Sequence, residues 1–383
     1  MPTDNCNRLF ILSIFDKNGI VDDYVFCLIN FIRAHVRKII VVINGVINSY
    51  YSERLNEVAD IVLVRENKGF DAGAYHHVLV DILEENEIRR YDEIILCNDT
   101  FYGPFNGFDS MFGKMDKEEC DFWGISGYFY ELFPHIQSYF LVFRKKIIED
   151  GSLIHYFRDY IDPETLCLND VYAQFEKGLF DYLVRIKKRK YAVYTKPQSY
   201  SIYDSAVYHL RENGLPIIKK KCFDVSKYSI NDILCSLKFI KKKSDYDIDL
   251  IISSVKRLYG LCISYDDIDK SRDDKLSLKK EVLYPLNSIE DIEEFINNDF
   301  FYIYGAGMFG CQLYWRIGLN NSRFLGFIVS DPKDAGGMKY GYKIKCVTDV
   351  KDLDRKIIIA TNPKTADEIE AKFSNKENLM RIY

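Results

Sequence analysis

The residues of this chain best placed to do chemistry are asparagines and aspartates that sit beside glycines at the ends of apolar runs. The run at 61–64 leads into Asn67-Lys68-Gly69-Phe70-Asp71-Ala72-Gly73, and the run at 94–97 ends in Asn98-Asp99. Asn67 and Asp71 can accept hydrogen bonds from a base or a sugar hydroxyl, and the amides near Gly69 and Gly73 can approach a phosphate or ribose. The same stretch also reads as a β-turn followed by a helix that Asp71 caps. Asn44-Gly45 closes a third apolar run in the same manner. Asp99 is a carboxylate open to a hard cation, since Mg2+ commonly takes one or two carboxylates beside substrate phosphates. A cap for the turn ahead of Gly103-Pro104 is the alternative role for Asp99.

Four more residues suit acid–base or hydroxyl chemistry. Glu176 lies in a helical pattern and can deprotonate a hydroxyl, with Asp121 as a second candidate base or ligand. His135 and Gln137 precede an alternating strand and can bind sugar hydroxyls, although a solitary histidine more often serves structure. Near the C-terminus, Gly305-Ala306-Gly307-Met308-Phe309-Gly310 follows an apolar run and opens a helix, with Asp331 about twenty residues further on. That placement gives the G-x-G-x-x-G pattern its meaning: a tight turn, a close backbone approach and a helix start facing phosphate. The unit is short, so a mononucleotide or nucleotide-sugar half-site suits it better than a complete NAD site.

The elements that must hold these residues follow from periodicity. Apolar runs at 9–15, 38–43, 61–64 and 94–97 predict strands, and helical spacing at 21–35, 52–58 and 73–87 predicts helices between them. Strand–helix alternation implies parallel βαβ units, in which ligands bind at the carboxyl ends of the strands. Beyond 121 the pattern changes to short strands at 122–125, 137–144 and 191–194 around a helix at 166–188, which implies a mixed sheet. Residues 229–295 read as a charged helical linker whose low apolar density at 264–280 marks a flexible joint. Strands at 300–304, 324–329 and 357–360 then predict a small Rossmann-like domain over 296–383.

Composition narrows the classes. A chain of 383 residues suits two or three domains, and a net charge of −5 gives no basic field for nucleic acid. Lysine-rich runs at 187–190, 219–221 and 241–243 read as solvated faces, or as contacts to an anionic membrane surface. The 29 tyrosines suit a sugar- or base-stacking surface as well as a plain compositional bias. Ten scattered cysteines without C-x-x-C spacing suit a reducing, cytoplasmic setting.

The motifs RENKGFDAGAY (65–75), YDEIILCNDTFYGPF (91–105), DFWGIS (121–126), HIQSYFLVFRK (135–145) and GLPIIKKKCF (214–223) occur in an order and spacing that resemble the rhamnan synthesis protein F family. The resemblance covers residues 8–228. It implies a GT-A-like α/β domain over 1–228 that moves a sugar, typically rhamnose, from a nucleotide-sugar donor to a polysaccharide or lipid-linked acceptor at the inner membrane face. It further implies donor contacts from Asn44 and from the stretch Asn67, Lys68, Gly69, Asp71 and Gly73, with Asn98-Asp99 in the place of an Asp-x-Asp motif. Mg2+ or Mn2+ would then sit at Asp99, where one of the two usual carboxylates is present. Glu176 falls roughly where inverting enzymes of that fold carry the base. The C-terminal unit resembles small Rossmann-like domains appended to sugar-modifying enzymes. Two rival classes stay open: an oxidoreductase or epimerase-like enzyme working from Gly305, Gly307, Gly310 and Asp331, and a non-catalytic scaffold for glycan assembly.

Overall fold

Four apolar, mostly β-branched runs form parallel strands: β1 (Arg8–Ile14), β2 (Lys38–Asn44), β3 (Ile61–Arg65) and β4 (Glu93–Asn98). In β1, β2 and β4 the side chains of both faces are buried, which is why these strands read as unbroken apolar runs without alternation. The computed structural model describes residues 6–129, 133–195, 202–203, 205–272, 286–319, 321–374 and 376–383. Its backbone divides into two units. The first holds residues 1–128, 136–166 and 183–281, and the second holds 129–135, 167–182 and 282–383.

The sheet of the first unit has seven strands in the order Tyr191–Val193, Phe122–Gly124, Phe140–Arg144, β4, β1, β2, β3. Strands β1 to β4 run parallel, whereas Phe140–Arg144 is antiparallel to both β4 and Phe122–Gly124. The sheet is therefore mixed, as expected. Chain order reverses around β1, which pairs with β2 on one side and β4 on the other.

Helix Asp23–Arg33 lays Val25, Leu28, Ile29 and Ile32 onto one face of this sheet. Helix Ser49–Val58 starts where the Asn48 side chain accepts from the Tyr50 amide. Residues 230–270, expected to be a linker, instead contribute Ile233, Leu237, Ile240, Ile251, Val255 and Ile268 to the same core. Their charged residues cover the outer side of helices whose apolar stripe faces inward, so a low mean hydropathy concealed a packed role. Helix Asp249–Tyr259 also ties down the loop after β1. Arg257 pairs with Asp22 at 2.7 Å and with Asp16 at 2.7 Å, and the Ser254 hydroxyl donates to Asp22. Of the expected joint, 273–280 lies outside the described residues; the part before it includes a short helix, Tyr265–Lys270, capped by Ser264.

The second unit carries a parallel sheet ordered Lys345–Cys346, Phe324–Val329, Phe301–Tyr304, Lys356–Ile359, Leu379–Arg381. Its order also reverses, beside Phe301–Tyr304.

A cluster of ion pairs lies at the amino edge of the first sheet. Arg8, buried at the start of β1, donates to Glu93 at 2.6 Å and to Asp116 at 3.1 Å, and lies 4.5 Å from the centre of the Phe112 ring. Glu93 also receives Arg144 at 3.1 Å. Glu93→Ala removes the shared acceptor and leaves buried Arg8 short of its anion. Urea unfolding of this variant should lose about 3–5 kcal/mol; a loss below 1 kcal/mol would mean that the edge does not depend on the pair.

Candidate functional site

The opposite, carboxyl edge is polar along its strand ends: Ser13 on β1, Asn44 on β2, Arg65 on β3 and Asn98 on β4. The first three bond to one another. The Asn44 amide donates to Ser13 Oγ at 3.0 Å and to the Phe70 carbonyl at 3.2 Å, while Asn44 Oδ1 accepts from Arg65 at 2.7 Å. Arg65 reaches on to the Lys68 carbonyl at 2.8 Å. The loop 67–69 is thereby folded back over the strand ends.

Its glycines are required where they stand. Gly69 has φ +69° and precedes helix Phe70–His76, and a Cβ on Gly73 would lie 2.1 Å from the Lys68 carbonyl oxygen. Gly69 is the N-cap, so Asp71 lies inside the first turn and not at the cap position. The Asp71 carboxylate instead accepts from Asn98 Nδ2 at 2.8 Å, joining the two sequence motifs. Asn67 Oδ1 is a buried acceptor with no hydrogen-bond partner among the described residues. Lys68 turns outward to Glu164 and Glu66.

A third segment enters that sequence reading did not assign to the site. Strand Ile218–Lys219 pairs antiparallel with Phe101–Tyr102, and the Lys220 amide donates to the Thr100 carbonyl. Lys219 Nζ donates to Thr100 Oγ1 and lies 4.3 Å from the centre of the Tyr139 ring. Thr100 Oγ1 donates to Asn98 Oδ1 at 2.6 Å, so a directed chain runs from Lys219 through Thr100 and Asn98 to Asp71. Lys220 Nζ donates to Asp99 Oδ2 at 2.8 Å and to the Tyr24 hydroxyl at 2.9 Å; Tyr24 in turn donates to Asp99. Burial and the nearby Asp99 push the Tyr24 phenol well up, which keeps it a donor. Only Lys221 of the run 219–221 is exposed, so Lys219 and Lys220 serve neither a solvated face nor a membrane contact.

A divalent cation does not fit at Asp99. Asp99 Oδ2 already accepts from an ammonium and a phenol, and a metal ion at either oxygen of this carboxylate would stand against the Lys220 charge. Among the described residues, no three His, Cys, Asp or Glu side chains gather as a metal site.

Other expected site residues lie elsewhere. Asp121 precedes Phe122–Gly124, which runs parallel to β4, so it lies at the amino edge with Arg144. There its carboxylate accepts from the Lys190 amide at 2.9 Å and from Lys146 at 3.4 Å, a structural role that removes it as a candidate base at the carboxyl edge. Gln137 Oε1 accepts from the Ser126 hydroxyl at 2.6 Å, which also meets the Tyr139 hydroxyl at 2.7 Å, all three being buried. His135 and Glu176 both belong to the second unit and meet each other, Nε2 to Oε1 at 3.4 Å. His135 Nδ1 faces the Phe133 carbonyl at 2.7 Å, so this nitrogen carries a hydrogen and Nε2 is the one turned to Glu176.

The sequence model of the family described as rhamnan synthesis protein F matches residues 39–283, well over half of the chain. The chain belongs to the rhamnan synthesis protein F family. The matched span takes in the loop at 67–73, Asn98-Asp99, Lys219-Lys220 and the helices at 230–270 that close the first core. Among curated relatives, the chain is 25% identical over 154 residues to the uncharacterized protein y4gN of Sinorhizobium fredii, covering 39% of each protein. It is 28% identical over 130 residues to the virulence protein VirA of Vibrio anguillarum, covering 33% of this chain and 40% of that one. The chain thus spans about 40% of the length of these relatives. A cytidylyltransferase structure from Leptospira borgpetersenii matches at 10% identity and a TM-score of 0.33, covering 68% of this chain and 100% of that one. None of the described helices of this family member is long and apolar enough to cross a membrane, and its ten cysteines form no disulfide.

In the second unit the three glycines differ in what they do. Gly305 has φ +117°, and a Cβ there would press on the Ala360 carbonyl at 2.7 Å. A Cβ on Gly310 would lie 1.8 Å from the Gly305 carbonyl oxygen, whereas one on Gly307 would meet nothing within 4 Å. Asp331, at the end of Phe324–Val329, accepts from the Lys333 amide at 2.9 Å. Turn and packing therefore need the first and third glycines, and the second faces open space. Gly310→Ala should lower stability by about 1–3 kcal/mol in urea unfolding, with Gly307→Ala near neutral. Equal losses would remove this division of roles.

Proposed function

We propose that this family member is a glycosyltransferase whose nucleotide-sugar donor lies at the carboxyl edge of the first sheet, with rhamnose as the sugar. The observation that carries the reading is the convergence of Asn44, Asn67, Asp71, Asn98 and Asp99 where the sheet reverses beside β1, the place where open α/β sheets bind ligands. The orphan acceptor Asn67 Oδ1 calls for a donor such as a ribose or sugar hydroxyl. In the reaction, the bond from the anomeric carbon to the β-phosphate oxygen breaks and its electron pair leaves with the nucleoside diphosphate. The acceptor hydroxyl oxygen forms the new bond and gives up its proton. The acceptor in this reading is a growing polysaccharide, in keeping with the family's description as rhamnan synthesis, or a lipid-linked glycan.

The test is thermal unfolding of the full chain with dTDP-, GDP- and UDP-sugars. One nucleotide class should protect, by about 2.7 kcal/mol at a hundredfold excess over Kd. Asp71→Ala should lose that protection while keeping its own unfolding transition. Protection by none of them would end the donor reading.

The resemblance assigns the acceptor proton to Glu176, whose carboxylate lies 3.4 Å from His135 Nε2 in the second unit. For the second unit we propose a Rossmann-like nucleotide half-site at Gly307. A ligand that the Gly307→Val chain no longer binds, and the Asp71→Ala chain still does, would support it. NAD in that role would favour the oxidoreductase alternative.

A further inference from the structure

We infer that Lys219 and Lys220 supply the positive charge at the donor diphosphate, the place taken by a divalent cation where two carboxylates are present, and that donor binding is metal-independent. This rests on the donor reading above. Asp99, the single carboxylate at the end of β4, holds the Lys220 ammonium at 2.8 Å, and the Tyr24 hydroxyl bonds to both groups. Lys219, the preceding residue, brings a second ammonium to the hydroxyl of Thr100, the residue after Asp99. Two ammonium groups carry the formal charge of one Mg2+ or Mn2+.

Both lysines are held by backbone as well as side chain. The pairing of Ile218–Lys219 with Phe101–Tyr102 and the Lys220 amide bond to Thr100 set their positions against the strand end. The Tyr139 and Tyr24 rings lie 4.3 and 5.4 Å from the respective ammonium nitrogens. Such fixed, mostly buried charge needs little reorganisation when an anion arrives, which is what an electrostatic site requires. Asp99 then orients Lys220 and lowers the cost of burying it, and does not touch the phosphate. When the anomeric bond breaks, the electron pair comes to rest on the β-phosphate oxygen, and the two ammonium groups stabilise it without giving up a proton.

A plain structural role for the lysines would give a different result. Binding of UDP, GDP and dTDP to the full chain is measured by calorimetry in EDTA and in Mn2+. One nucleoside diphosphate should bind in EDTA, with Mn2+ changing its Kd by less than about twofold. Lys220→Met and Lys219→Met should each weaken it at least tenfold, Lys220→Arg should recover most of the loss, and the binding should weaken as salt rises. Binding that appears only with Mn2+ would overturn the inference and leave the donor reading standing. So would methionine variants that fold and bind like the parent. If the methionine variants fail to fold, Lys220→Arg and the EDTA comparison still decide. Absence of binding in both buffers would overturn the inference and the donor reading together.

Discussion

A parallel sheet covered on both faces has nowhere to display polar groups except at its strand ends. In β1, β2 and β4 every interior position is buried, so a polar side chain along them would cost more than a fold of this size can spare. The two ends resolve this constraint differently. At the amino edge the charges cancel among themselves, with Arg8, Arg144 and Lys146 set against Glu93, Asp116 and Asp121. At the carboxyl edge β1, β2 and β4 finish in hydroxyl and amide groups, which bond to Arg65 at the end of β3 and to the Asp71 carboxylate. One edge is a closed account of ion pairs and the other is a surface prepared for a ligand.

Much of this was legible in residue order. Unbroken apolar runs gave the strands, and their alternation with helical spacing gave the parallel direction from which the carboxyl edge follows. The loop at 67–73 and Asn98-Asp99 could be paired on that basis, and Asn98 does bond to Asp71. Less visible was the direction of any strand outside a βαβ unit. Asp121 precedes a strand parallel to β4 and so faces away from the site, a fact that depends on the antiparallel insertion of Phe140–Arg144.

Lysine runs were the harder case. Three consecutive lysines look solvated because periodicity treats each side chain alone, whereas here backbone pairing with Phe101–Tyr102 draws two of them inward. The carboxylate that accepts one of them is 121 residues away, beyond the reach of local pattern. The charged helices at 230–270 misled for a related reason: average polarity describes their outer faces and hides the apolar stripe that completes the first core.

The grip of Arg257 on Asp16 and Asp22 has a consequence for how the chain is made. These pairs close over sequence separations of 241 and 235 residues, so the loop that follows the first strand waits for a partner that is synthesised late. At roughly 5–20 residues per second, the wait is on the order of ten to fifty seconds. Throughout it, two acids at the mouth of the sheet and the apolar faces that helix 249–259 will cover stay exposed to solvent and to chaperones. The first unit is therefore complete only once this late helical segment has been made.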